Sequence, residues 1–145
     1  MNKKLYTFTF VVLVISMLLS LFFFVISIVL AVNRAIPLFL FLLAVVFCFV
    51  ALSKHYCSCL THLKQGAVLD HAKRKRICAA NVIVMVSAMI TCISMTLILL
   101  YTFAMLRIML AFQIYFLAVD MVAILYFANA VWMDKWMRAS AKNAG

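Results

Sequence analysis

Long apolar runs separated by short polar and basic clusters set the pattern of this chain. Residues 6–32 carry no charge. Asn33, Arg34 and Pro37 interrupt the run, and residues 36–53 form a second one. Pro37 falls in the first turn of that run, where a missing N–H costs no helical bond. Residues 54–76 are polar and basic, and from 77 to 133 the chain is apolar again, with only Arg107 and Asp120 charged. One helix crosses a hydrocarbon core in about 20 residues, so this last stretch holds two. Its midpoint near Met105 puts the turn at 101–107. The pattern predicts spans at 6–32, 36–53, 77–100 and 108–133.

Composition fixes the solvent of these helices. Of 145 residues, 70% are hydrophobic, where a soluble domain is about half apolar. A small soluble fold has too much surface to hide that excess. With two Gly and one Pro, turns are few, and the polar/apolar alternation of a membrane barrel is absent. The expected fold is an all-α integral membrane protein: a four-transmembrane-helix bundle made of two helical hairpins.

Charge gives the expected orientation. The net charge is +10, from 13 Lys and Arg against three Asp. Lys3 and Lys4 precede the first span, Lys54, Lys64, Lys73, Arg74, Lys75 and Arg76 lie between the hairpins, and Lys135, Arg138 and Lys142 follow the last span. Arg34 and Arg107 stand alone on the other side. Basic loops stay in the cytoplasm, so both ends are expected inside, in one membrane domain with a cytoplasmic linker at 54–76 and a cytoplasmic tail at 134–145. Trp132 and Trp136, one turn apart, fit an interfacial aromatic belt. Val29-Leu30-Ala31 resembles a signal cleavage site, but the apolar run before it is much longer than a signal h-region, so an uncleaved anchor is expected. No aromatic-interleaved basic groove is readable, which argues against nucleic acid.

The linker carries its own pattern. Tyr56, Leu60 and Leu63, at i, i+4 and i+7, continue the second helix as an amphipathic extension. Gly66 suits a helix C-cap and Asp70 an N-cap. Lys73, Arg74, Lys75 and Arg76 then fall in a first turn, where the helix dipole disfavours cations. Their expected role is topology and contact with anionic lipid headgroups at the cytoplasmic face. Docking of an acidic partner is the alternative.

Few groups suggest chemistry. His55, Cys57, Cys59 and His62 lie within eight residues, but Cys57 and Cys59 point about 200° apart on a helix, and zinc knuckles space their ligands differently. His55, Cys59 and His62 do share a face. No metal site, cofactor or catalytic group is expected, and Cys48, Cys78 and Cys92 read as packing residues. If the host is eukaryotic, a linker cysteine is a candidate for lipid modification.

Asp120 is the exception. It sits near the middle of the fourth span, where a carboxylate costs roughly 2.5–3.5 kcal/mol. Gln113 and Asp134 share its helix face at heptad spacing, and no cation lies at its depth. Hydroxyls are the remaining partners: Thr9, Ser16, Ser20 and Ser27 line one face of the first helix, and Ala80, Ser87, Thr91 and Ser94 one face of the third. Small polar faces let helices approach closely and exchange hydrogen bonds. Asp120, Gln113, Ser87 and Thr91 are the intramembrane polar or coupling candidates.

Architecture alone resembles three families of small four-span proteins, and each lacks its signature here. Small multidrug transporters carry a carboxylate in the first helix, disulfide-generating quinone reductases a CxxC, and membrane-bound glutathione-dependent enzymes a loop rich in Arg, Glu and Asn. The chain has no Glu, and its three His lie in one loop. The expectation is a non-enzymatic membrane subunit that associates with itself or with larger membrane proteins, for assembly or regulation. The alternative is a small oligomeric transporter or channel coupled through Asp120. The MNKK start and minimal loops point to a bacterial inner membrane. A lipid- or sterol-modifying accessory enzyme is a third reading, without a residue to carry it.

Overall fold

A computed structural model describes residues 2–65, 71–105 and 110–143. It contains four α-helices: α1 (Lys3–Val32), α2 (Ile36–Gln65), α3 (His71–Met105) and α4 (Leu110–Asn143). Helix α1 pairs with α2, and α3 with α4. The two pairs are separate compact units, Met1–Asp70 and His71–Gly145. Each of the four helices is long and apolar enough to cross a membrane.

The helices outrun the apolar spans. Helix α2 continues to Gln65, as the spacing of Tyr56, Leu60 and Leu63 predicts. Helix α3 starts at His71 and carries the basic tetrad in its first turns. Thus most of the expected linker is helical. The expected cap residues Gly66 and Asp70 lie outside the described residues. Helix α3 also runs past 101 to Met105, so the expected turn at 101–107 is partly helix. Residues 106–109, including Arg107, lie outside the description. The expected tail is helical to Asn143, because it is built of good helix formers and braced by an Asp134–Arg138 pair at i, i+4, 2.8 Å apart.

A three-residue turn closes the first hairpin. Ala35 N–H donates to Leu30 O (3.0 Å) and Arg34 N–H to Ala31 O (3.1 Å). This is the paired bonding of a Schellman cap. Arg34 takes the left-handed position at φ 58°, where glycine is usual, and so bears some strain. At the other end of α1, the Asn2 side chain accepts from Leu5 N–H at 3.2 Å.

Packing within each hairpin follows heptad spacing. Leu5, Thr9, Val12 and Ser16 are buried on α1, with Ser27 further along. Facing them, Val46, Tyr56, Leu60 and Leu63 are buried on α2. Phe23 and Phe49 stack across this pair, 5.7 Å between centroids. In the second hairpin, Ile77, Asn81, Val84 and Ala88 of α3 face Ala123, Tyr126, Ala130, Met133 and Met137 of α4. Alternating steps of three and four keep one stripe on the partner, as in coiled coils. Of the hydroxyl face read on α1, Thr9, Ser16 and Ser27 are therefore buried in the seam, and Ser20 is half-buried.

Candidate functional site

Asp120 lies beside the α3–α4 seam, next to the buried Ala123, and is half-buried. Its Oδ2 accepts a long hydrogen bond from the Thr96 hydroxyl of α3, at 3.4 Å. The Cys92 thiol, one turn before Thr96, stands within hydrogen-bonding reach of the same carboxylate. Oδ1 is buried and has no hydrogen-bond partner among the described residues. Antiparallel pairing places α3 residues near 93 opposite Asp120, so both helices meet it close to mid-span.

The other polar candidates take different places. Thr91 Oγ1 donates to the Ser87 carbonyl of its own helix, at 2.9 Å. Ser87 and Ser94 are exposed and Thr91 is half-buried. The structure brings Thr96 and Cys92 to Asp120, and does not bring Ser87 or Thr91 to it. The expected hydroxyl partner is thus replaced by one further along α3. Gln113 and Asp134 are half-buried along the same edge of α4, and Asp134 is engaged by Arg138.

Two amides missing from the sequence reading form the polar heart of this hairpin. Asn81 is 1% exposed, and its Nδ2 donates across the seam to the Ala130 carbonyl at 2.8 Å. Asn129, the neighbour of Ala130, is fully buried. Tyr126, one turn before Ala130, is buried as well. An amide that can donate twice and accept twice is costly in hydrocarbon without partners, which puts both at the interface. A heptad of small residues, Ala123 and Ala130, was the available signal for this seam.

In the first hairpin the His/Cys cluster divides by face. Cys57 is exposed, while Cys59 and His62 are buried. Cys59 Sγ lies 3.6 Å from His55 Nε2. Among the described residues, no group of three or more His, Cys, Asp or Glu side chains is placed to hold a metal ion. All five cysteines are free thiols. Cys78 also lies at the second hairpin's seam, its thiol 3.6 Å from Met137 Sδ.

The basic tetrad sits at the open end of the second hairpin. Lys73, Lys75 and Arg76 are exposed. Arg74 is half-buried and donates from Nη2 to the Met137 carbonyl of α4 at 2.6 Å.

No family model matches the chain, and neither a curated protein nor a solved structure shows significant similarity to it. What the fold defines by itself is a class: a multi-pass integral membrane protein built of two helical hairpins.

Proposed function

We propose that this protein is a non-enzymatic membrane subunit, oriented with both ends in the cytoplasm and residing in a bacterial inner membrane. It associates with itself or with larger membrane proteins and serves their assembly or regulation. One observation carries the reading: the polar side chains of the spans bond backbone carbonyls of their own helix or a neighbour across a seam. Ser16 donates to Val12 O and Ser27 to Phe24 O on α1. Ser53 donates to Phe49 O on α2. Asn81 bonds Ala130 O, and Thr96 bonds Asp120. Binding and catalytic sites instead converge several polar groups on one cavity. Large apolar side chains such as Phe22, Phe41, Ile83 and Leu117 stay exposed, which leaves each hairpin faces for lipid and for other helices.

The buried Oδ1 of Asp120, which has no hydrogen-bond partner among the described residues, supports the second reading, a proton- or cation-coupled transporter. Asp120→Asn separates the two. Asn keeps the shape and the hydrogen bond but cannot exchange a proton. In the packing role, Asp120→Asn keeps the wild-type assembled size and co-purifying proteins in mild detergent. Asp120→Leu loses an interhelical bond worth roughly 1 kcal/mol and part of the assembly. Wild-type proteoliposomes that carry a proton or cation flux abolished by Asp120→Asn, with assembly intact, would overturn the subunit reading.

A further inference from the structure

The start of α3 and the end of α4 lie together, because Arg74 bonds Met137 O and Cys78 meets Met137 Sδ. This end of the second hairpin gathers Lys73, Arg74, Lys75 and Arg76 with Lys135, Arg138 and Lys142. Among the described residues one carboxylate, Asp134, sits with them, and Arg138 pairs with it at 2.8 Å. Lys73, Lys75, Arg76, Lys135 and Lys142 are all exposed. Among the described residues, Lys73, Lys75 and Arg76 have no ion-pair partner. Four cations in the first turns of α3 also oppose its dipole. Turning Arg74 onto the Met137 carbonyl of α4 offsets part of that cost.

We propose that this basic end binds the headgroups of anionic phospholipids. The proposal rests on the reading of α3 and α4 as membrane spans. It goes beyond general positive-inside charge by placing a selective lipid surface on the second hairpin alone. The corresponding end of the first hairpin carries fewer cations, Lys3, Lys4 and Lys64, with Lys54 nearer the span. A lipid fits better than a soluble phosphate ester because the patch runs directly into open apolar surface. Val82, Ile83 and Val86 are 43%, 67% and 42% exposed. Ile83 follows Arg76 by two turns, on the order of 10 Å deeper. A molecule with a phosphate at one end and an acyl chain at the other meets both surfaces. On α4, Trp132, itself 37% exposed, stands at the depth where indoles mark the headgroup level.

The test uses the full chain in neutral detergent, titrated with phosphatidylglycerol, phosphatidylcholine or soluble glycerol phosphate, with bound lipid counted by native mass spectrometry. Phosphatidylglycerol is expected to bind in preference to both. A surface basic residue is worth about fivefold in affinity for anionic lipid. Lys73→Gln/Lys75→Gln/Arg76→Gln should therefore weaken phosphatidylglycerol binding on the order of a hundredfold, and added salt should weaken the wild type. Lys3→Gln/Lys4→Gln/Lys64→Gln, which removes as much charge from the first hairpin, should weaken it far less. Equal losses in the two triple variants would overturn the proposal. So would glycerol phosphate binding as tightly as the lipid, or a triple variant that keeps its lipid but loses a co-purifying acidic protein. Failure of the spanning reading shows separately, in reporter fusions at Arg107 and after Gly145 that give the same compartment.

Discussion

Tyr56→Ala is expected to destabilise the first hairpin by about 3–5 kcal/mol, the range for truncating a buried aromatic side chain. Tyr56 has no exposed surface, and Leu63, two turns on, has none either. Both press on the N-terminal half of α1, where Leu5, Thr9 and Val12 are almost wholly buried. The contact lies at the end of α2 beyond its apolar run, and the opposite face there is polar and exposed, with Cys57, Ser58 and Thr61. The hydrophobic effect therefore acts here as it does in a soluble core. Deep in lipid the same truncation would lose packing alone. The check is denaturant unfolding in detergent, followed by proteolysis at the end of α2. Cys57→Ala, on the exposed face, should change stability by less than about 0.5 kcal/mol. A Tyr56→Ala hairpin as stable as the wild type would show that α2 beyond residue 53 does not pack on α1.

Ala130→Leu should open the second hairpin. Ala130 is fully buried, and its carbonyl accepts the Asn81 amide at 2.8 Å. The small side chain lets α3 and α4 approach closely enough for that bond. A leucine here forces strain of roughly 1–3 kcal/mol into a filled seam. Moving the helices apart also removes an interhelical bond of roughly 1 kcal/mol, so the combined loss is about 2–4 kcal/mol. Asn81 then loses its acceptor across the seam. Gly at position 130 serves as a control for volume, since it removes bulk without blocking approach. Unfolding in graded denaturing detergent, read by the Trp132 and Trp136 fluorescence, measures the effect. Ala130→Leu as stable as the wild type would mean that α3 and α4 do not meet at this residue.

The spans were legible because an apolar run of that length has no other stable solvent. Their ends were less so. Hydropathy marks where lipid stops, whereas a helix stops where caps and breakers act, and 134–143 contains neither. The packing faces were the hardest part. A helix that is apolar all round shows no amphipathic stripe, so only small and polar residues mark its partner. On α1 the hydroxyls Thr9, Ser16 and Ser27 marked it correctly. On α3 the hydroxyls misled, and the reason is chemical. A hydroxyl that bonds a carbonyl one turn back, as Thr91 does with Ser87 and the buried Ser16 with Val12, is satisfied with or without a neighbouring helix, so it does not mark a seam by itself. An asparagine amide has more bonding groups than one carbonyl can satisfy. Asn81 and Asn129, rather than Ser87 and Ser94, therefore lie in the seam. Asp120 was legible as an anomaly from its depth alone. Its contacts with Thr96 and Cys92 depended on the register of α3 against α4, which apolar patterning does not encode.

The central claim is that four membrane-crossing helices form two hairpins whose open ends share one side of the membrane. Reporter fusions at Lys64, after Gly145 and at Arg34 test it most directly, because two compartments are read from one chain. The eleven flanking cations against Arg34 and Arg107 favour the cytoplasm for the first side. The account predicts cytoplasmic signals at Lys64 and after Gly145, and an external signal at Arg34. An external signal at Lys64, or opposite signals at Lys64 and Gly145, would contradict it.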